Sequence, residues 1–199
     1  MTSFATRTRL LDYQQEAVAK LLPARVGALF MDMGTGKTRT AIELIRLRQP
    51  KIDRVIWFCP VALKQTIARE IIKHTNCRPE SIYTFDERTN ERTVPQDAFW
   101  YIVGVESMSS SARVILTVRQ VITDRTFVVM DESSYIKGHR ARRTQYITAA
   151  ANQARYRLAL TGTPISQGVV DLYAQMTFLS PKILGYNSFY SFARNHLEY

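Results

Sequence analysis

Short, continuous apolar runs alternate along the chain with longer segments whose apolar residues recur at helical spacing. Continuous apolar runs are typical of strands that are covered on both faces. The runs cover residues 26–31, 54–59, 99–105, 126–130 and 156–160, and the helical segments cover 10–22, 39–48, 62–73, 112–122, 142–154, 169–179 and 187–196. Strands that alternate with helices predict an α/β fold, in which right-handed crossovers cover a mainly parallel sheet on both faces.

Two further stretches complete the pattern between the third and fourth helical segments. Residues 81–85 alternate between apolar and polar side chains, which predicts a short strand. Residues 86–97 are polar and charged and contain Pro95, which predicts an exposed loop. Neither stretch changes the predicted fold class.

Polar clusters directly follow three of the predicted strands. They are Gly34 to Thr38, Asp131 with Glu132, and Thr161 to Thr163. In open parallel sheets, ligands bind at the carboxyl ends of the strands. We therefore expect these three clusters to form one site at one edge of the sheet.

A glycine-containing loop joins the first predicted strand to the helix after it. Such a loop points backbone N–H groups at one spot, where the positive end of the helix favours a phosphate. Gly34 and Gly36 let the backbone bend without a Cβ in the way, Lys37 would reach the β- and γ-phosphates, and the Thr38 hydroxyl would hold Mg²⁺. The predicted nucleotide-binding residues of this stretch are Gly34, Thr35, Gly36, Lys37, Thr38 and Arg39.

The longer form of this phosphate-loop motif has glycine where this chain has Met31, so only the shorter core matches. The alternative is an ordinary glycine-rich loop between a strand and a helix. The second of the three polar clusters, which is acidic, argues against that alternative. Asp131 would hold Mg²⁺ and Glu132 would polarise an attacking water, whereas without a phosphate loop the pair would read as the start of an exposed loop.

The third cluster offers two hydroxyls, a flexible glycine and a rigid proline. Thr161 and Thr163 could sense the γ-phosphate and pass its state to the rest of the chain, and the alternative is a simple turn. The histidines and the two cysteines form neither a metal-ligand set nor a disulfide framework.

Composition places the chain among intracellular globular proteins. Its 199 residues, 46% of them apolar, suffice for one to two domains with a full core. There is no apolar run long enough to span a membrane and no secretory signal, so we expect a reducing, intracellular location. A compact, arginine-rich lobe would suit a bacterial or viral gene, which favours the cytoplasm over the nucleus.

The charge balance points to a polyanionic partner. The formal net charge is +10, and the arginine forks that dominate it match phosphate oxygens. The alternative is a basic surface that only confers solubility. The densest basic run, residues 137–143, would be either a solvated loop or a phosphate contact beside the nucleotide site.

The order of these motifs resembles the first RecA-like lobe of superfamily-two helicases, and most closely the Swi/Snf-type translocases of double-stranded DNA. The resemblance covers about residues 10–195. Its motifs are residues 11–18, 32–38, 59–63, 103–108, 130–134 and 160–165. It implies a P-loop, RecA-like, three-layer α/β/α fold in which residues 1–199 form a single ATP-binding lobe.

The resemblance also implies a function. The lobe would couple ATP hydrolysis to translocation on, or remodelling of, double-stranded DNA, with ATP and Mg²⁺ as cofactors. Lys37, Asp131 and Glu132 would be catalytic, and Gln14 would read the adenine edge. The residues implied to face DNA are Lys64, Gln65, Glu106, Ser107, Lys137 and Arg140.

Two departures from the family qualify this interpretation. Ser134 stands where the family commonly has histidine or glutamine, which puts the coupling of nucleotide state in doubt. The second RecA-like lobe, which carries an arginine finger, has no counterpart in this chain. We therefore expect Mg·ATP binding with weak hydrolysis by this lobe alone, and a second lobe elsewhere as partner.

Two other functions stay open at this point. One is a nucleic-acid-binding P-loop module without turnover of its own. The other is a small P-loop nucleotide kinase, which would need an acceptor pocket and an arginine-bearing lid.

Overall fold

The computed structural model describes residues 3–165, 168–186 and 188–196. Its strands are β1 Val26–Phe30, β2 Arg54–Cys59, β3 Ile82–Thr84, β4 Trp100–Gly104, β5 Thr126–Asp131 and β6 Tyr156–Thr161. Its helices are α1 Asp12–Leu21, α2 Lys37–Arg48, α3 Lys64–His74, α4 Ser107–Ser110, α5 Ala112–Val121, α6 Arg142–Ala151, α7 Val170–Leu179 and α8 Phe189–His196. The six strands form one sheet in the order β1-β6-β5-β2-β4-β3, and every pairing is parallel.

The predicted α/β architecture is confirmed, and the differences are local. The short helix α4 was not predicted, because four residues rich in serine carry no helical periodicity. A 3-10 turn at Val61–Leu63 precedes α3. The predicted start of the last helix at residue 187 lies outside the described residues.

Strand alternation divides the core into two apolar layers. On β5, Val128 and Met130 pack with residues of α5, α6 and α7, whereas Phe127 and Val129 pack with residues of α1, α2 and α3. All residues of β2, β4 and β5 except Arg54 are buried. The sheet is thus covered on both faces, as continuous apolar strands predict, and the fold has three layers.

The loop at residues 86–97 is less exposed than its composition predicts. Thr89 is fully buried and Val94 is 5% exposed. The Asp86 carboxylate accepts hydrogen bonds from the backbone N–H groups of Arg88 and Thr89, both at 2.9 Å. An Asx turn therefore folds this polar stretch back onto the sheet.

Sheet order decides which strand ends are neighbours. β1, β6 and β5 lie side by side, with Phe30 in register with Thr161 and Asp131 in register with Leu160. The three polar clusters thus follow adjacent strands. The ends of β2 and β4 come next along the same edge and lead into α3 and α4.

At the amino edge of the sheet, where the strands begin, arginines bind the carboxyl ends of helices. Arg48 donates to the Leu21 carbonyl at the end of α1 at 2.8 Å. Arg54 donates to Val121 of α5 at 2.9 Å, and Arg157 donates to the Leu179 carbonyl of α7 at 3.0 Å. Each cation meets carbonyls that a helix leaves unsatisfied at its negative end. None of the described helices is long and apolar enough to cross a membrane.

Candidate functional site

The loop after β1 has the backbone geometry of a phosphate-binding loop. Gly34 and Gly36 have φ angles of 80° and 79°, in the left-handed region that L side chains rarely adopt. A Cβ on Gly36 would also collide with the side-chain amide of Gln14. Gly36 occupies the N-cap of α2 and offers no side-chain cap, so the positive end of the helix opens into the loop.

Lys37 lies across this loop. Its ammonium donates to the carbonyls of Met31 at 2.9 Å and Asp32 at 3.2 Å, which follow β1 directly. The Thr35 hydroxyl donates to the same Asp32 carbonyl at 2.6 Å. Thr38 is half-buried in the first turn of α2. A phosphate in the loop would replace neutral carbonyls as the partner of the Lys37 charge.

Asp131 ends β5 as a buried carboxylate. It is 6% exposed and accepts hydrogen bonds from the Trp57 indole at 3.2 Å and from the Glu132 backbone N–H at 3.0 Å. Burial raises the pKa of Asp131 to about 6, and the Glu132 charge adds to that rise, while the Trp57 hydrogen bond and the Lys37 ammonium oppose it. A buried carboxylate of this kind fits a divalent cation, whose charge would offset the cost of ionisation.

Glu132 is held in an unusual backbone conformation. Its φ of 49° is positive, and within the described part of the chain no other non-glycine residue shares that feature. The residue directly follows β5 and is the N-cap of the 3-10 turn Ser133–Ile136. Strain of this type persists only where the surroundings hold it, and it often marks functional sites.

The segment after β6 packs against the phosphate loop. The buried Thr161 accepts a hydrogen bond from Met31 N–H at 3.2 Å through its carbonyl, and its hydroxyl accepts from Thr163 N–H at 3.1 Å. A Cβ on Gly162 would lie 3.4 Å from the Met31 carbonyl oxygen. The structure therefore brings Gly34–Thr38, Asp131–Glu132 and Thr161–Thr163 to one place, as sheet order requires.

The side chain of Gln14 contacts the phosphate loop itself. It is 5% exposed, donates to the Thr35 carbonyl at 2.8 Å and accepts from Leu11 N–H at 3.0 Å. The predicted contact with an adenine edge stays a prediction. Tyr13, which was not predicted to belong to the site, also contacts this loop: its half-exposed side chain donates to the same Thr35 carbonyl at 3.0 Å. In the sequence, only its position next to Gln14 indicates this contact.

Arg39 has a structural role that was not predicted. Its buried guanidinium donates to the Thr8 hydroxyl at 2.8 Å, the Thr8 carbonyl at 2.7 Å and the Glu43 carboxylate at 2.9 Å. These contacts tie the N-terminal segment to α2. The expectation that Arg39 binds nucleotide is not supported by these partners and stays a prediction.

The residues predicted to face nucleic acid at the ends of β2 and β4 lie close together. Glu106 accepts from Val61 N–H at 3.0 Å, which joins the two strand-end segments. Gln65 is exposed, Ser107 is half-buried, and the half-buried Lys64 donates to the Phe85 carbonyl. This cluster continues the edge that carries the phosphate loop.

The basic run after β5 is not a simple solvated loop. Lys137 forms an ion pair with Asp171 of α7 at 3.2 Å, and its side chain is 15% exposed. The exposed Arg140 hydrogen-bonds the Tyr190 hydroxyl and lies 5.6 Å from the centre of that ring. The two cations of this run that were predicted to contact DNA thus have protein partners, because α7 and α8 pack against the run.

Comparisons with known proteins agree with this geometry. The DNA annealing helicase and endonuclease ZRANB3 of Homo sapiens is 25% identical, over 97% of this chain and 18% of that protein. Zorya protein ZorD of Escherichia coli is 28% identical over 92% of the chain and 19% of that protein. The human DNA repair and recombination protein RAD54B is 27% identical over 83% of the chain and 19% of that protein. The chain therefore spans less than a fifth of the length of these relatives.

Solved structures share the fold. The SWI2/SNF2 ATPase core of Sulfolobus solfataricus in complex with double-stranded DNA superposes with a TM-score of 0.79 at 23% identity, over 98% of this chain and 40% of that chain. The same core without DNA gives 0.75 at 22% identity, over 98% and 39%. These matches confirm the RecA-like fold. The sequence model of the SNF2-related domain matches residues 13–197, and the chain therefore belongs to the SNF2-related domain family.

Proposed function

We propose that this chain is the ATP-binding lobe of a motor that couples ATP hydrolysis to movement along, or remodelling of, double-stranded DNA. The observation that carries the proposal is the convergence of Lys37, the buried Asp131 and Thr161 at three adjacent strand ends. Family membership supports it. Residues 1–199 would act as a single lobe.

The nucleotide would be held by the phosphate loop. Its backbone N–H groups and the uncapped start of α2 would receive the phosphates, and the Lys37 ammonium would turn from the Met31 and Asp32 carbonyls to the β- and γ-phosphates. Thr38 and Asp131 would hold Mg²⁺, which supplies charge neutralisation on the phosphate oxygens. Glu132, next to Asp131, would orient the attacking water.

Thr161 and Thr163 would couple the nucleotide to the rest of the motor. Thr161 already binds the phosphate loop through Met31, so a shift of that loop reaches the segment after β6 directly. Thr163 is exposed, and its hydroxyl would meet a second lobe or the γ-phosphate.

Double-stranded DNA is the proposed track. A structural neighbour is described as an ATPase core in complex with double-stranded DNA, and the human relatives are described as an annealing helicase and a DNA repair protein. Lys64, Gln65 and Ser107 follow the ends of β2 and β4, at the same edge of the sheet as the phosphate loop. The contacts would be to phosphates, so binding should be independent of sequence and fall steeply with salt.

A second RecA-like lobe would complete the catalytic site. An arginine finger supplied from outside increases phosphoryl-transfer rates by about 10³–10⁵-fold in other enzymes. We expect this lobe alone to bind Mg·ATP and to hydrolyse it slowly. The match covers only 18–19% of the length of the relatives and 39–40% of the solved ATPase cores, so those proteins are long enough to contain such a lobe as well.

The test is ATP hydrolysis by this chain with and without double-stranded DNA, beside Lys37→Ala and Glu132→Gln. We expect slow hydrolysis that Glu132→Gln abolishes without loss of ATP binding, and binding that Lys37→Ala abolishes. Binding without any turnover would instead favour a nucleic-acid-binding module that relies on another chain. Failure to bind Mg·ATP at all would overturn the proposal.

A further inference from the structure

Gln175 of α7 is a fully buried amide whose hydrogen bonds connect two segments of the site. Its carbonyl oxygen accepts from the Ser133 hydroxyl at 2.6 Å. Its amide nitrogen donates to the Pro164 carbonyl at 2.7 Å and to the Asp171 carbonyl at 2.9 Å. Both amide hydrogens are used, and the two carbonyl partners fix which end of the amide is which.

Each end of this bridge lies beside a residue of the proposed chemistry. Ser133, itself fully buried, directly follows Glu132, whose left-handed backbone needs support from its surroundings. Pro164 directly follows Thr163, in the segment whose Gly162 packs against the phosphate loop. The strand ends of β5 and β6 are thus tied to each other through a side chain on a helix that follows both.

A second contact links the same helix to the same segment. Asp171, one turn before Gln175 on α7, forms the ion pair with Lys137 at 3.2 Å. Lys137 ends the turn that starts after Glu132. Two polar contacts from α7 therefore hold the segment that follows β5, and the Gln175 side chain also reaches the segment that follows β6.

We propose that Gln175 is a positioning residue, which sets Glu132 and the Thr161–Pro164 segment in one fixed arrangement for ATP hydrolysis. This inference rests on the proposed function. Within the described part of the chain, the amide hydrogen-bonds to Ser133, Pro164 and Asp171 and to no residue of the phosphate loop. Its loss should therefore slow the hydrolytic step and leave ATP binding almost unchanged, whereas a purely structural role would change stability alone.

The test compares Gln175→Met, which keeps the side-chain volume but loses all three hydrogen bonds, with Ser133→Ala, which loses only one. Gln120→Met, at an exposed glutamine of α5, is the matched control. The chain is kept in excess over ATP, with double-stranded DNA and Mg²⁺ present, so that slow single-turnover hydrolysis can be measured. The rate constant and the chain concentration that gives half the maximal rate are recorded below the melting temperature of each variant.

We expect Gln175→Met to lower the rate constant about tenfold, with the half-saturating concentration changed less than about threefold. Ser133→Ala should lower the rate in the same direction. The double variant should be no slower than Gln175→Met, because both changes break one bridge. If Gln175→Met fails to fold, Ser133→Ala alone decides the question, since it deletes a single oxygen.

Two results would overturn the inference in distinguishable ways. If Glu132→Gln abolishes hydrolysis while Gln175→Met and Ser133→Ala hydrolyse ATP like the parent, the bridge does not position the site and only this inference fails. If the parent chain shows no hydrolysis that depends on Glu132, the role proposed for Glu132 in this chain fails and the inference fails with it.

Discussion

Asp131 is the residue at which stability and the proposed activity oppose each other. The carboxylate is buried under Trp57, where burial raises its pKa to about 6 from an ordinary value of 3.8. Ionised and without a cation, it weakens the fold; with Mg²⁺ beside it, the same charge would be satisfied. The Trp57 indole partly offsets the cost, although nothing in its apolar run indicated that role.

This predicts a specific pH dependence of stability in the absence of metal. The native state binds the Asp131 proton more tightly than the unfolded state, so this group contributes most stability below about pH 4, and that contribution is lost as the pH rises to about 6. Relative to Asp131→Asn, the parent should keep a constant unfolding free energy between about pH 7.5 and 7, and should then gain about 1.4 kcal/mol for each pH unit that the pH falls below about 6. Denaturant unfolding in EDTA measures it, and a difference independent of pH would contradict it.

The N-terminal segment and α2 show how one element fixes another at the site. Arg39 and Glu43 lie one turn apart on α2, and Arg39 reaches out of the helix to Thr8. Thr8 in turn bonds His74 of α3 at 2.8 Å, and an antiparallel bridge joins Thr6 to Thr75. The segment before α1 is thereby fixed against two helices of the same layer, which places Gln14 and Tyr13 over the phosphate loop.

Arg39→Ala should therefore lower the stability of the fold and leave the affinity for nucleotide almost unchanged. Removing the buried guanidinium takes the Arg39 hydrogen bonds away from the Thr8 carbonyl and from one oxygen of the Glu43 carboxylate, at a cost of about 1.5–3 kcal/mol in unfolding free energy. The affinity of the folded protein for Mg·ATP should stay within about threefold of the parent. Arg69→Ala, at an exposed position of α3, is the control. A large loss of affinity with unchanged stability would instead support the predicted nucleotide contact.

Across the whole molecule, positive charge is used differently at the two edges of the sheet. At the amino edge, Arg48, Arg54 and Arg157 bind helix carboxyl ends, so part of the +10 net charge serves the fold. Parallel strands with crossover helices make this edge the negative end of every such helix. A net charge read from composition cannot separate these arginines from cations that face a polyanion.

Substitutions of Lys64 and Arg25 test whether DNA binding depends on where on the sheet a cation lies. Lys64→Gln, at the site edge, should weaken binding of double-stranded DNA and lower the slope of log affinity against log salt by about 0.9. Arg25→Gln, at an exposed position just before β1, should change neither quantity. Fluorescence anisotropy over a range of salt concentrations measures both. Equal effects of the two substitutions would mean that DNA binding does not follow the predicted edge.

Local patterns in the sequence predict the strands of the sheet, the described helices other than α4, and the three polar clusters at strand ends. These features can be predicted because they depend on residues that are close together in the sequence: apolar runs form strands, and Gly34 and Gly36 permit the bend of the phosphate loop. The acidic pair at Asp131 directly follows such a run, and the carboxyl ends of parallel strands lie at the same edge of a sheet. The strand order that makes β1, β6 and β5 neighbours, and so closes the clusters into one site, appears only in the folded sheet.

Which polar side chains become partners depends on the packing of the folded chain. Gln14 on the phosphate loop, Arg39 on Thr8, Trp57 on Asp131, Lys137 on Asp171 and Gln175 on Ser133 are contacts made in the fold. In every one of these pairs the partners lie at least 21 residues apart along the chain, and no local pattern encodes them. A buried polar group takes whichever partner the packing brings within reach, because leaving it unsatisfied costs more than any local preference supplies.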